Sequence, residues 1–244
     1  MNRFFVEPER ITESSVMIPD EVSAQIRKVL RLKEGTHVQF LDNTGWIYES
    51  AIHYLDEKNL TAEIIEKKLA AGEPHSNISL YIGLTQREKF EWILQKCTEA
   101  GVGKIVPMIT ERSLIRKASD ISGKRDRWEK ILKEAAEQCG RGLIPVLGEP
   151  MTYREAVQKG ASADAALFCW EGEKQTTLRE ILEPFNGQAR NISILIGPEG
   201  GFSEEEAEYA SNYGWRSVSL GKRIYRMETA AIASVILSLY ELER

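Results

Sequence analysis

Ile192-Ser193-Ile194-Leu195-Ile196-Gly197-Pro198-Glu199-Gly200-Gly201-Phe202-Ser203 is the stretch on which the reading of this chain turns. From Ile192 to Ile196 the run is short and almost wholly apolar, as in a strand buried on both faces. Glycines and a proline then break regular structure. Ser203, followed three residues on by Glu206, has the spacing of a capping box that opens a helix. The glycines let backbone N–H and C=O groups approach a ligand closely. The loop has neither the dinucleotide-binding spacing nor the phosphate-binding lysine motif, and Glu199 is ill suited to a phosphate. Backbone hydrogen bonds around an adenine or ribose are the fitting use, with a purely structural turn as the alternative.

The strand-to-helix alternation continues outward in both directions. Upstream lie a strand from Asn77 to Leu84, a helix from Glu88 to Ala100 with Phe90, Ile93, Leu94 and Cys97 on one face, and a strand from Ile105 to Ile109. A helix from Lys124 to Cys139 follows, then a short segment at Ile144 to Leu147 and a helix near Thr152 to Gln158. Next come a strand from Asp164 to Trp170 and a short helix from Thr177 to Leu182. Downstream the pattern predicts a helix from Ser203 to Tyr213, a strand from Ser217 to Leu220 and a terminal helix from Glu228 to Leu242. Buried strands alternating with amphipathic helices predict an α/β fold, its parallel sheet covered on both faces.

Ahead of Pro74 the period changes. Val38 to Leu41 and Trp46 to Ile52 flank Asp42-Asn43-Thr44-Gly45, a hairpin signal. Leu60 to Ile65 reads as another strand, and Val22, Ile26 and Val29 recur at helical spacing. Short strands between turns suggest a small barrel. Ala70-Ala71-Gly72-Glu73-Pro74 punctuates the chain, so the expected organisation is a β-rich domain over residues 1–72 and an α/β domain over 73–244.

Composition narrows the function classes. With 42% hydrophobic and 28% charged residues the usage is globular. No stretch reaches the ~20 apolar residues of a membrane span, and the start from Met1 to Glu9 turns acidic too early for a secretory signal. Cys97, Cys139 and Cys169 have no partners at metal-ligand spacing and suggest no disulfide framework, so a cytoplasmic protein without a metal is expected. The net charge of −5 speaks against a nucleic-acid partner, but it hides a distribution. From Arg87 to Arg141 there are 13 Lys or Arg against 9 Asp or Glu, including Arg87, Lys89, Arg112, Arg116, Lys117, Lys124, Arg125 and Arg127. This is either a phosphate-contacting face or an ordinary solvated one.

A second loop, Leu220-Gly221-Lys222-Arg223-Ile224-Tyr225-Arg226-Met227-Glu228-Thr229-Ala230, joins the last strand to the last helix. A third carries Phe168-Cys169-Trp170-Glu171. Both fall where the carboxyl ends of parallel strands gather binding loops. Together with Ile196 to Phe202, the second loop resembles the signature of the SPOUT methyltransferase superfamily, in the branch that methylates N3 of a uridine in small-subunit (16S) rRNA. Arg3-Phe4-Phe5, Val29-Leu30-Arg31, Lys96-Cys97-Thr98-Glu99-Ala100-Gly101-Val102, Pro107, Glu111-Arg112-Ser113 and Glu134-Ala135-Ala136-Glu137-Gln138-Cys139-Gly140-Arg141 extend the resemblance over nearly the whole chain.

The resemblance implies an N-terminal PUA-like β-barrel and a C-terminal α/β domain tied in a deep trefoil knot, against the general rule that chains do not thread their own loops. It implies S-adenosylmethionine as cofactor, bent between three loops. Their residues here are Phe168, Trp170 and Glu171; Ile196, Gly197, Pro198, Glu199, Gly200 and Gly201; and Ser219, Leu220, Gly221, Ile224, Tyr225 and Arg226. It further implies a homodimer, to which the apolar terminal helix with Ile232, Val235, Ile236, Leu239 and Tyr240 is suited, though these residues fit a monomer core equally. Two departures stand out. No histidine shortly precedes Val29-Leu30-Arg31, and Tyr225 and Met227 replace the family's more usual leucine and threonine.

Uracil N3 holds its proton at neutral pH, so the chemistry requires that proton to be removed or displaced. His37, His53 and His75 fall in the small domain or linker, which leaves Glu199 and Glu228 as carboxylate candidates and Arg226 to stabilise charge on the uracil oxygens. Arg3, Arg27, Lys28 and Arg31, with Arg87, Lys89, Arg112 and Arg141, are the expected contacts to 16S rRNA in the small subunit or its late precursor. Other SPOUT targets (a ribose 2′-OH, a tRNA guanine, a pseudouridine) remain alternatives, as does a noncatalytic RNA-binding assembly factor. A nicotinamide dehydrogenase lacks its glycine spacing here.

Overall fold

The computed structural model describes residues 1–54, 60–115 and 123–243; Arg116 and Lys117 of the basic stretch lie outside them. Two compact units emerge, one of Met1–Glu73 with Lys133–Ile144, the other of Pro74–Leu132 with Pro145–Arg244.

In the first unit, β1 (Arg3–Phe5), β2 (Ser15–Met17), β3 (His37–Leu41), β4 (Trp46–Tyr54) and β5 (Leu60–Leu69) form a sheet in the order β1-β3-β4-β5-β2. Asp42 builds the β3–β4 turn. Its carboxylate accepts hydrogen bonds from the Thr44 N–H and hydroxyl, both at 2.8 Å, and from the Tyr48 hydroxyl at 3.1 Å, while Asn43 and Gly45 adopt left-handed φ of 59° and 99°. Period-two alternation sorts the faces. Phe4, Val38, Phe40 and Ile52 join one core with Val22 and Ile26, whereas Phe5, Leu41 and Ile47 pack with Ala136. The sequence pattern places no strand at β1 or β2, because three residues are too few to show an alternation. The expected helix over Val22 to Leu30 is α1 (Asp20–Ala24) running into a π-helical stretch, Gln25–Leu30, that Arg31 ends at φ 51°.

The second unit is the expected parallel sheet. β6 (Asn77–Gly83), β7 (Lys104–Ile109), β8 (Val146–Leu147), β10 (Ala165–Cys169), β11 (Asn191–Ile196) and β12 (Arg216–Val218) lie in the order β12-β10-β11-β6-β7-β8, with β9 (Met151–Thr152) beside the end of β7. Every pairing is parallel. One face, with Tyr81, Val106, Phe168 and Leu195, packs on α4 (Tyr153–Gly160) and α6 (Glu204–Asn212). Against the other lies α7 (Met227–Leu242), which touches β6 and β11 and also α2 (Arg87–Glu99) and α5 (Leu178–Leu182). The Phe90 ring of α2 meets Trp128 of α3 (Arg125–Cys139) at 4.5 Å. Ser203 and Glu206 form the anticipated capping box, and Thr152/Glu155 and Thr177/Glu180 form two more, each cap contributing about 1 kcal/mol. Ser219, just past β12, bridges Thr177 in parallel and donates its N–H to the Thr176 carbonyl at 2.8 Å. The chain after β12 therefore runs alongside the loop after β10 before it enters α7. No described helix is long and apolar enough to cross a membrane.

Two residues assigned to phosphates have partners within the β-rich unit. Arg141 is 4% exposed and holds Glu73 through Nη2 at 2.8 Å, and the same carboxylate accepts the Leu143 N–H at 3.0 Å. Arg3 donates to the Gln39 side chain and to the Glu137 and Gln138 carbonyls. Arg141→Met leaves Glu73 without its cation and is expected to cost about 3 kcal/mol, near the lower end for a broken buried pair because Glu73 is partly solvated. A urea titration gives the value; an unchanged midpoint would contradict it.

Candidate active site

At the carboxyl ends of β10, β11 and β12 three loops enclose a cleft of about 810 Å³, within the roughly 300–1,000 Å³ of small-molecule sites. Trp170 and Glu171 come from the first loop, Ile196, Gly197, Pro198, Glu199 and Gly201 from the second, and Ser219, Leu220, Gly221, Ile224, Tyr225 and Arg226 from the third. All thirteen were expected on a shared site, and all line one cavity.

Phe168 and Gly200 do not line it. The Phe168 ring is 1% exposed and stacks under Phe202 at 4.6 Å, so the residue that reaches the cleft is Phe202. Gly200 turns its carbonyl to Arg112 Nη1 at 3.0 Å. The cleft also includes Met227, already singled out as a departure in the third loop, and Glu173, Lys174 and Thr177, which the sequence did not place there. Only their neighbourhood to the named motifs would have signalled them. Glu173 shapes its own loop, its carboxylate accepting the Gln175 and Thr176 N–H groups at 2.8 and 3.0 Å.

Two glycines are required by close approach. A Cβ on Gly201, at φ 67°, would stand 2.8 Å from Glu171 Oε1, and one on Gly83 would stand 2.6 Å from the Pro198 nitrogen. The second loop is thereby seated on the end of β6 and against the first loop.

The two candidate carboxylates differ. Glu199 accepts hydrogen bonds from the Thr85 hydroxyl and, at 3.0 Å, from Lys89 Nζ. Burial works to raise its pKa, but the Thr85 hydrogen bond, its own backbone N–H and Lys89 together hold it below the usual carboxylate range. Glu228, in the first turn of α7, lines the cleft, and among the described residues no cation lies within 4.0 Å of it, Arg226 included. Burial pushes the Cys169 thiol up to about 12, which leaves no thiolate for nucleophilic work. Among the described residues no group of His, Cys, Asp and Glu could hold a metal ion.

The cations divide in the same way. Arg87 and Arg127 both bind Glu91, at 2.9 and 2.6 Å, and drive its pKa down to about 2, while Lys89 belongs to Glu199. Arg27 lies over the Tyr54 ring at 4.5 Å. Lys28 and Arg31 are exposed. Lys222, Arg223 and Arg226 all line the cleft, and among the described residues none of them has a carboxylate within 4.0 Å.

Residues 72–238 match the family described as RNA methyltransferase domain. The chain is 34% identical over 229 residues to the ribosomal RNA small subunit methyltransferase E of Synechocystis sp., covering 93% of this chain and 74% of that protein. It belongs to the ribosomal RNA small subunit methyltransferase E family. The family member of Mesomycoplasma hyopneumoniae is 32% identical, with 95% of this chain and 96% of that protein aligned. The Neisseria gonorrhoeae family member, solved bound to S-adenosyl methionine, superposes with a TM-score of 0.85 at 30% identity, over 97% of this chain and 96% of that one. A putative methyltransferase of Legionella pneumophila in complex with the same cofactor also gives 0.85, at 28% identity over 98% and 96% of the two chains.

Lys89→Met is expected to raise the titration midpoint of Glu199, followed by carboxyl-carbon NMR. A carboxylate depressed in the folded state contributes stability above its unfolded pKa and loses it as pH falls through the folded value. The variant should accordingly lose less stability on acidification than the parent. An unmoved midpoint would show that Lys89 does not hold Glu199.

Proposed function

We propose that this chain transfers a methyl group from S-adenosylmethionine to N3 of a uridine in 16S rRNA, in the small ribosomal subunit or its late precursor. The observation that carries the reading is one cleft in which glycine-rich strand-end loops meet a loop whose three cations have no carboxylate within 4.0 Å among the described residues. Relatives of the same architecture hold S-adenosyl methionine.

The residues present fit that cofactor. Close-packed loops expose backbone donors and acceptors, Phe202, Val218 and Met227 supply apolar lining, and Glu171 places a carboxylate where a positively charged ligand is favoured. Trp170, Glu171 and the backbone of residues 196–201 and 219–225 would hold it. When bound, it supplies a methyl group on a positively charged sulfur.

The rest of the chemistry falls to this chain's side chains. Arg226 stabilises negative charge on the uracil oxygens as the N3 proton leaves, an effect strengthened where the base excludes water. Glu228 takes that proton, since its carboxylate is not committed to a cation, whereas Glu199 orders the second loop through Thr85 and Lys89. Lys222 and Arg223, together with Lys28 and Arg31 of the β-rich unit, meet phosphates.

The same reading includes the knotted SPOUT topology, for which the support is the Thr177–Ser219 bridge and the passage of the chain from β12 past that loop into α7. It assigns the β1-β3-β4-β5-β2 sheet to a PUA-like RNA-binding barrel over residues 1–72, followed by the methyltransferase domain over 73–244. A homodimer is supported by α7: Val235 and Leu239 are buried, but Ile236, Leu237 and Tyr240 stand exposed on one helix.

Small subunits lacking the modification, incubated with this protein and labelled cofactor, are expected to yield 3-methyluridine on nucleoside mass spectrometry. Label on a ribose 2′-OH or another base would overturn the assignment. Arg226→Ala is expected to slow single-turnover transfer by about 10²–10³-fold; near-parent rates at saturating RNA would remove it from the mechanism.

A further inference from the structure

We propose that Ile224 is an apolar wedge that enters the RNA base stack and fills the space vacated when the target nucleotide is turned into the cleft. The inference rests on the methyl-transfer reading and adds the step by which a stacked base reaches the site.

Ile224 is 79% exposed, more than any other large apolar side chain among the described residues, and it sits on the lining of the cleft. An aliphatic side chain left in water contributes nothing to folding, so its placement calls for another account. Its sequence neighbours clasp each other: Arg223 Nη2 lies 3.3 Å from the Tyr225 hydroxyl, and the guanidinium is 6.0 Å from the Tyr225 ring centroid. That contact leaves Ile224 standing alone between two braced side chains. Lys222, Arg223 and Arg226 of the same loop also line the cleft, and among the described residues none of them has a carboxylate within 4.0 Å.

An exposed apolar tip in a loop that also carries three cations suits a polyanion with an apolar interior, which is a stacked nucleic acid. Turning a base out of its stack costs a few kcal/mol. An apolar side chain inserted at the vacated step recovers part of that cost, and flanking cations engage the phosphates on either side. The tip is too small for a protein partner's groove to be the natural occupant. The competing occupant is the cofactor itself, which could cover Ile224 on binding.

The test compares two RNAs of the same sequence around the target, one a hairpin with the uridine stacked in a helix, the other unstructured. Each carries 2-aminopurine beside the uridine. Single-turnover methylation at saturating cofactor gives a rate on each, and fluorescence reports unstacking on binding. For Ile224→Ala the ratio of hairpin rate to unstructured rate is expected to fall about tenfold, equivalent to losing ~1.4 kcal/mol of the eversion energy. The fluorescence rise on the hairpin should shrink with it, and Ile224→Leu should restore both. A ratio equal to the parent's, with slowing on both RNAs that tracks weaker S-adenosylmethionine binding in calorimetry, overturns the wedge in favour of a cofactor contact. Parent-like rates throughout overturn it as well. If the unaltered protein methylates neither these RNAs nor small subunits lacking the modification, the methyltransferase reading itself falls and the wedge with it.

Discussion

Hydrogen bonds to β10 on one edge and β6 on the other, with helices on both faces, leave β11 a single way to meet solvent, which is at its carboxyl end. Residues 192–198 are all buried. Polar side-chain work by this segment has to begin at Glu199, and the bend there must be tight enough to reach α6 within four residues. The same constraint acts on its neighbours. β10 and β12 end in register with β11, so their loops are delivered to the same rim, and Gly83 lets the second loop close on the end of β6. The cleft follows from parallel pairing, and the loops then close on one another where Gly201 meets Glu171 and Ser219 bridges Thr177.

Charge pairing explains how a chain with a net charge of −5 can present a surface to RNA. Carboxylates take up several of the cations that composition counts. Glu91 takes Arg87 and Arg127, Glu73 takes Arg141, Glu199 takes Lys89, and Glu241 takes Arg179. What matters for a polyanion is the cations left over, and three of those lie within five residues of one another beside the cleft. A window count over residues 87–141 cannot make that distinction, because it sees charges and not partners. Within the basic interval Arg87, Lys89, Arg127 and Arg141 have carboxylate partners, whereas the cations of the loop at 222–226 have none within 4.0 Å among the described residues.

Legibility in the sequence followed the length of each periodic signal. β6, β11, α2 and α7 could be read because buried strands and long helices repeat their pattern several times. β1 and β2, three residues each, could not. The loops were legible as a set, since glycine, proline and charge cluster at strand ends, but their members were not individually so. Phe168 and Phe202 illustrate why. Both are aromatic residues at loop boundaries, yet the pleat sends Phe168 into the core beneath the cleft, while Phe202, a residue outside any strand, reaches its wall. Such a swap depends on which face a side chain leaves, and a shift of one residue reverses it.

The division of labour between Glu199 and Glu228 carries the same lesson into chemistry. On sequence alone the two are equivalent acids in neighbouring loops. In the fold, Glu199 is held ionised by a hydroxyl and an ammonium, which suits an anchor and spoils a base, because a proton acceptor works best with its lone pairs free and its pKa near the working pH. Glu228 stands close to Arg226 in the chain but makes no ion pair with it among the described residues, so each is left to act on a third group. A base bound between them would meet a cation at its oxygens and a carboxylate at its N3–H together. Removing the proton then lowers the charge separation in the cleft instead of raising it. The proposed arrangement lets a carboxylate serve as acceptor, since the arginine stabilises the deprotonated imide from the side of the substrate.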